Sequence, residues 1–342
     1  MDWFERLTGF RETSYADTRA RLAVEGDRLR SLVNRKSYGI GELDLPPLQV
    51  LRDRAASGTG AAGRLRAKLV QGDVREMHRS PEYAGSLFQV ASQFNLLEMV
   101  GPDVTPEHGV ARYEDDRTQG PACAMAAGAA TIYRNYFAPV AGGQGQTADR
   151  QLDALANLGE ALAGAIARPV EALWEMRNGY ALCTRDGLAA IADHLRTLDD
   201  AQELERLRGL LRIGLHRDVE VTDAAGEKRP IVSQAFCSAL PVAYSQVPAS
   251  FWTAFASFVL EAAYEATMWA AVLNARRGAS NIVLLTSLGG GAFGNCESWI
   301  EAAIRRALEM TSGFDLDVRL VSYRAPSQSM ERLARAFAGP GS

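Results

Sequence analysis

Backbone groups and side chains suited to chemistry are concentrated in two stretches of this sequence. One is Gly289-Gly290-Gly291-Ala292-Phe293-Gly294, followed by Asn295. Glycine lets a ligand come close to backbone N–H groups, and N–H groups at a helix start carry partial positive charge. A glycine-rich turn ahead of a helix therefore suits an anion. No Lys-Ser/Thr pair follows the glycines as a P-loop requires, and the run departs from G-x-G-x-x-G at its second glycine. A tight turn that only joins two core elements is the competing reading. The other stretch, residues 95–119, carries Glu98, Glu107, Glu114, Asp115 and Asp116. Carboxylates can stabilise an oxocarbenium-like centre and activate water; solvated loop acids are the alternative. Glu261 and Glu265 stand four apart in an otherwise apolar run, so they share a helix face and must be paired or line a cavity. One buried salt bridge plus one exposed residue is the favoured reading there. The histidines (His78, His108, His194, His216) lack zinc-type spacing, and no G-x-S-x-G elbow is present.

These groups need elements to position them. Ile282-Val283-Leu284-Leu285 is short, apolar and β-branched at its start, as a buried central strand is. Beyond the glycines, Trp299, Ile300, Ala303 and Ile304 recur at helical spacing. Lys68-Leu69-Val70-Gln71 reads as a strand before Gly72-Asp73-Val74, and residues 86–95 read as a second buried strand ending in Asn95. Asp73 and Asn95 then lie just past carboxyl ends of strands, where open α/β sheets bind ligands. A helix-capping aspartate and a loop asparagine bonding its own backbone are the alternatives. Pro121 is placed to begin a helix over residues 122–133, so that Thr118, Gln119 and Gly120 present N–H groups at its start. Residues 1–66 read as a peripheral helical extension, with an amphipathic helix over 17–33 and a second over 48–56 after Pro46-Pro47. His78 and His108 fall in loop-like stretches.

The 342 residues allow one large domain or two ordinary ones, and 47% hydrophobic with 23% charged residues is ordinary globular composition. A net charge of −4 argues against a broad nucleic-acid surface. Cys123, Cys183, Cys237 and Cys296 have no C-x-x-C spacing and read as reduced and mostly buried. The N-terminus offers no apolar signal core, and Glu261 and Glu265 interrupt the longest apolar stretch, residues 251–273. A cytoplasmic location without membrane contact is the expectation; oligomeric state is open.

Strand, Gly72-Asp73-Val74, a strand ending in Asn95, and much later strand, glycine loop and helix together resemble a macrodomain, the ADP-ribose-binding α/β/α module. Residues 218–222 and 231–236 resemble that family's middle strand pair, the 251–275 helix leads into the glycine-loop strand, and residues 318–322 resemble the closing strand. The resemblance spans about residues 65 to 325 and implies a three-layer α/β/α mixed sheet with added helices. It implies residues 67–342 as one macrodomain-like domain, with a helical insertion at about 138–215. It further implies that Asp73 binds the adenine amine, that Asn95 faces the distal ribose, and that Gly291, Ala292, Phe293 and Gly294 hold the diphosphate, with Val74, Gly289, Gly290 and Asn295 as further ADP-ribose contacts. The family's first phosphate loop has no glycine run here; Thr118, Gln119 and Gly120 are placed to substitute for it, with a plain N-cap turn as the alternative. The family's Gln-Glu-Glu cluster is also missing. Asn95, Glu98, Asp116 and Gln119 are therefore catalytic candidates by position. The implied activity is hydrolysis of an ADP-ribosyl linkage on a protein or related conjugate, with no metal or cofactor. A non-catalytic reader of ADP-ribose is the alternative.

Overall fold

The computed structural model describes residues 1–226 and 228–339, so the last three residues of the expected 67–342 domain lie outside the described set. Seven strands form the central sheet: Glu42–Asp44 (β1), Arg66–Gln71 (β2), Leu87–Ala91 (β3), Gly214–Glu220 (β4), Ile231–Cys237 (β5), Ile282–Leu285 (β6) and Asp317–Ser322 (β7). Their spatial order is β1-β4-β5-β3-β6-β7-β2. The run from β5 to β2 is parallel, whereas β4 pairs antiparallel with both β1 and β5. Central strands of a parallel sheet are buried on both faces, which explains the unbroken apolar run of β6.

Alternate residues face opposite helical layers. Leu87, Val283 and Leu285 join the core formed with the helices Leu48–Ser57, Ala249–Arg276 and Glu297–Met310. Phe88, Val90 and Leu284 join the core on the other face, with Val74–Arg79, Gln119–Ala126 and Gly128–Tyr136. This is a three-layer α/β/α mixed sheet with added helices. The Ala249–Arg276 helix is buried along most of its length because sheet and helices enclose it. Among the described residues, no helix is long and apolar enough to cross a membrane.

The N-terminal region differs from the expected helical extension. Residues 17–33 are not one helix: Tyr15–Ala20 is helical, and Leu22–Glu25 then pairs antiparallel with Arg28–Ser31. Gly26-Asp27 supplies the two-residue turn, with Gly26 at φ +62°. The region also gives the sheet its edge strand β1. Within 138–215 the chain forms helices Ala156–Ile166, Val170–Leu173, Arg185–Thr197 and Ala201–Arg208, but also a hairpin of Trp174–Arg177 and Tyr180–Cys183. Asn178-Gly179, both at positive φ, form its turn. His78 is no loop residue: it is buried in the Val74–Arg79 helix, its ring stacked on Phe88. Burial pushes its pKa down to about 4.

Candidate functional site

A cleft opens at the carboxyl ends of the parallel strands β5, β3 and β6. Ala91, Ser92 and Gln93 follow β3 into it, Ala239 lies beyond β5, and Thr286 to Gly289 with Gly291 to Phe293 lie beyond β6. It encloses about 720 Å³, part of it open to solvent, within the range of small-molecule sites. The buried Tyr264 fixes the exit of β6. Its hydroxyl donates to the Thr286 carbonyl at 2.6 Å and accepts the Leu288 N–H at 2.8 Å.

The glycine turn closes on itself through N–H bonds from Gly290 to Ser287, Gly294 to Gly291, and Asn295 to Gly289. Among the described residues, the N–H groups of Gly291, Ala292 and Phe293 have no protein acceptor. A Cβ built on Gly291 would meet nothing within 4 Å, so this residue faces open space in the cleft. Gly289 and Gly294 serve the turn instead, at φ +71° and +70°. Asn295 braces it by donating to the Leu240 carbonyl at 2.8 Å, while its Oδ1 is buried without a partner among the described residues. A second cavity lies behind the turn, lined by Ser287, Gly290, Asn295, Val321 and Ser322 among others. The turn thus stands between two cavities with three consecutive amides unpaired.

Opposite the turn stands the start of the Gln119–Ala126 helix. Thr118 is its N-cap, so the helix begins two residues earlier than Pro121 suggested. Thr118, Gln119, Gly120 and Pro121 all line the cleft. The Gln119 side chain is already engaged, accepting the Ala91 N–H at 2.9 Å and donating to the Gln89 carbonyl at 2.8 Å. It pins the helix to the end of β3, and this engagement argues against a direct catalytic role. A Cβ on Gly120 would lie 2.1 Å from the Ala91 carbonyl and 2.1 Å from Oε2 of Glu98. Glycine at that position is what lets the Glu98 carboxyl reach the cleft.

Glu98 is 5% exposed, lines the cleft, and its Oε1 has no partner among the described residues. Burial pushes its pKa well above the ordinary carboxylate range; the positive charge of Arg134 opposes this and Asp116 reinforces it. An unpartnered carboxyl held protonated can donate a proton. Asp116 lines the same cleft and accepts the Thr118 N–H at 2.8 Å. Both acids also border an adjoining cavity with Arg112, Tyr113, Asp115 and Arg117.

The candidates do not all meet here. β3 ends at Ala91, so Asn95 lies beyond the strand in a tight turn and does not line the cleft. It is fully buried: Nδ2 donates to Gln151 at 2.7 Å and Oδ1 accepts the Leu97 N–H. This placement has Asn95 bracing the turn and sets it apart from the residues that line the cleft. Asp73 caps the Val74–Arg79 helix by accepting the Arg75 N–H at 2.8 Å, and Val74 is buried in the core beneath it. Gly72 donates its N–H to Ser322, which lines the second cavity, so Asp73 is one residue from that rim. Phe293 packs against Tyr180 and Tyr244, ring centroids 5.3 and 5.7 Å away, and the three rings wall one side of the cleft. Sequence reasoning missed Tyr180, Tyr244, Ser92 and Gln93. Tyr180 comes from the inserted hairpin, and its hydroxyl donates to the Met99 carbonyl at 2.7 Å, just past Glu98.

No family model and no curated protein matches the chain. Among solved structures it is similar to the poly(ADP-ribose) glycohydrolase from Thermomonospora curvata, at 14% identity and a TM-score of 0.45, over 94% of this chain and 96% of that chain. It is also similar to the poly(ADP-ribose) glycohydrolase from Deinococcus radiodurans in complex with ADP-ribose, at 10% identity and a TM-score of 0.43, over 96% and 97%. At this level of likeness, what the chain does has to be read from its own site.

Proposed function

We propose that the chain binds ADP-ribose and hydrolyses an ADP-ribosyl linkage. The observation that carries this is the glycine turn: three unpaired amides between two cavities, one of which holds a buried, unpartnered carboxyl. A diphosphate joining two sugars fits a row of free N–H groups with a cavity on either side. The nucleoside end would occupy the second cavity, where the Oδ1 of Asn295 and the nearby Asp73 carboxylate can accept from an amine or hydroxyl. The distal ribose would lie in the main cleft under the Phe293, Tyr180 and Tyr244 rings, beside Glu98 and Asp116.

Glu98 then acts as general acid. As the anomeric C–O bond breaks, its proton passes to the departing oxygen, and the ribose becomes oxocarbenium-like. The Asp116 carboxylate stabilises that charge. Water adds to the anomeric carbon and gives its proton to the Glu98 carboxylate, which restores the acid. Asn95 and Gln119 contribute by holding the backbone, through the bonds described above.

A structure with ADP-ribose bound tests the placement. Diphosphate oxygens within hydrogen-bond distance of the Gly291–Phe293 amides support it, and a diphosphate elsewhere overturns it. Turnover of ADP-ribosylated protein separates hydrolase from reader: binding without release of ADP-ribose from any linkage would leave the reader.

A further inference from the structure

Glu98 reaches the cleft from a backbone turn that is strained. Two residues before it, Leu96 has φ +65°, a region that β-carbon-bearing residues rarely adopt. Its side chain is 1% exposed, so it cannot be traded for glycine without emptying the core. Something must hold the turn. The Leu96 N–H donates to Gln93, the Gln93 N–H donates to Leu97, and the Gln93 side chain accepts the Met99 N–H. The Glu98 N–H donates to the Tyr113 hydroxyl at 2.9 Å. The Leu96 carbonyl itself is held by Arg134, whose Nε donates to it at 3.2 Å.

Arg134 is unusual in its own right. It is fully buried, and its partners are the Leu96 carbonyl, the Thr131 hydroxyl at 2.9 Å and Nδ1 of His216 at 3.3 Å, none of them a carboxylate. Its guanidinium lies 3.8 Å from the centroid of the Phe236 ring. A buried cation without an anionic partner is costly to a fold. His216 is also fully buried, and its accepting nitrogen fixes it as the neutral tautomer.

We propose that Arg134 is a positioning residue for Glu98: its guanidinium locks the strained turn at Leu96 and sets both where the Glu98 carboxyl stands and the charge it faces. This rests on the hydrolase proposed above. The groups facing Glu98 are Arg134 from the Gly128–Tyr136 helix, Asp116 and Tyr113 from the segment before the Gln119–Ala126 helix, Cys123 from that helix, and Tyr180 from the inserted hairpin. Arg112, Asp115 and Arg117 share the adjoining cavity with Glu98, and Arg134 is the buried cation that holds its turn.

Two readouts on the full chain test the proposal. The first is the Glu98 carboxyl titration, followed by carbon NMR of labelled glutamate and assigned with Glu98→Gln. Arg134→Gln should move it upward by about one unit or more, because a neighbouring positive charge is lost. Arg134→Lys should return it most of the way. The second is catalysis. Arg134→Gln should lower kcat roughly tenfold or more with KM within about twofold, and shift the basic limb of the pH profile upward with the titration. Arg134→Lys, which keeps the charge but not the three-way fork, should recover the pH profile and only part of kcat. Glu265→Gln, far from the cleft, controls for lost stability and should move neither readout. If Arg134→Gln fails to fold, Arg134→Lys decides alone: lowered kcat with a retained profile supports the role, and unchanged kcat overturns it. A Glu98 titration that stays in place in folded Arg134→Gln also overturns it. A titration that moves in a protein that hydrolyses no ADP-ribosyl linkage leaves Arg134 as the positioning residue and removes the hydrolase.

Discussion

Glu98 and Glu265 are the same residue type at nearly the same burial, 5% and 0% exposed, and the fold treats them in opposite ways. Glu265 sits on the buried Ala249–Arg276 helix, on the far side of the sheet from the Gln119–Ala126 helix. Its carboxylate takes Arg52 Nε at 2.6 Å, Arg306 Nη1 at 2.6 Å and Trp269 Nε1 at 3.0 Å. Burial would raise its pKa, but hydrogen bonds and charge from Arg52 and Arg306 outweigh that and hold it below the ordinary range. Glu261, four residues earlier, is paired with Arg208, and Glu205 links Arg52, Arg208 and Arg306 into one network. Glu98 has its cation at a distance and, among the described residues, one oxygen with no partner. Burial alone says nothing about function. The missing partner does, because folds ordinarily satisfy buried polar atoms.

The sharpest way to break this contrast is Glu98→Gln. Turnover should fall about 10²–10⁴-fold, as for loss of a general acid, while ADP-ribose affinity stays nearly intact. The same change should raise the melting temperature at neutral pH. A carboxyl whose folded pKa is raised contributes stability in full below its unfolded value, about 4.3, and that stability is lost as pH rises from there through the folded pKa. The gain over wild type should therefore be absent near pH 4 and grow upward. A lower melting temperature at pH 7 would mean that Glu98 is a structural residue.

Glu265→Gln is the mirror image. Removing one partner of a buried ion pair costs about 3–5 kcal/mol, here toward the low end because Glu205 still faces both arginines. With a depressed folded pKa, the Glu265 contribution is present above the unfolded value and lost as pH falls through the folded one. The deficit should be full at pH 7 and fade in acid, as read by denaturant titration at several pH values. ADP-ribose affinity should not change.

How much of this contrast was legible in sequence depends on which interactions are local. The strand, glycine turn and helix around Gly291 were legible because one short apolar run, six small residues and a helical repeat follow one another directly. The pairing of Glu265 was half legible: its spacing from Glu261 on an apolar helix demands partners, but Arg52 and Arg306 come from distant elements. Glu98 was reachable only by position, since its burial depends on the Leu96 turn, on Gly120 and on Arg134 together. Asn95 was misplaced because β3 ends four residues earlier, and the polar residues that reach the cleft are Ser92 and Gln93. Two misses share one cause. Gly26-Asp27 and Asn178-Gly179 are two-residue hairpin signals; the first lay beneath apparent helical spacing over 17–33, and the second lay within a segment read as a helical insertion. The second conceals Tyr180, the ring that the inserted segment contributes to the cleft.

A smaller effect sharpens the comparison from the nucleoside side. Asp73→Ala should weaken ADP-ribose binding roughly tenfold, about what a charge-assisted bond to an amine is worth, and should also loosen the Val74–Arg79 helix by about 1 kcal/mol through the lost cap. Calorimetric titration alongside thermal melting separates the two. Equal loss of affinity for ADP-ribose and for ribose 5-phosphate would remove Asp73 from base recognition.

The most direct measurement is the affinity of wild type and Gly291→Val for free ADP-ribose, with melting curves on the same samples. A Cβ at Gly291 has open space around it, so the variant should melt within a few degrees of wild type. Its branched side chain would stand where the diphosphate meets the amides of Gly291 to Phe293, and binding should be lost. A folded Gly291→Val that binds ADP-ribose as wild type does, or a wild type that does not bind it at all, would contradict the assignment of this turn as the diphosphate cradle.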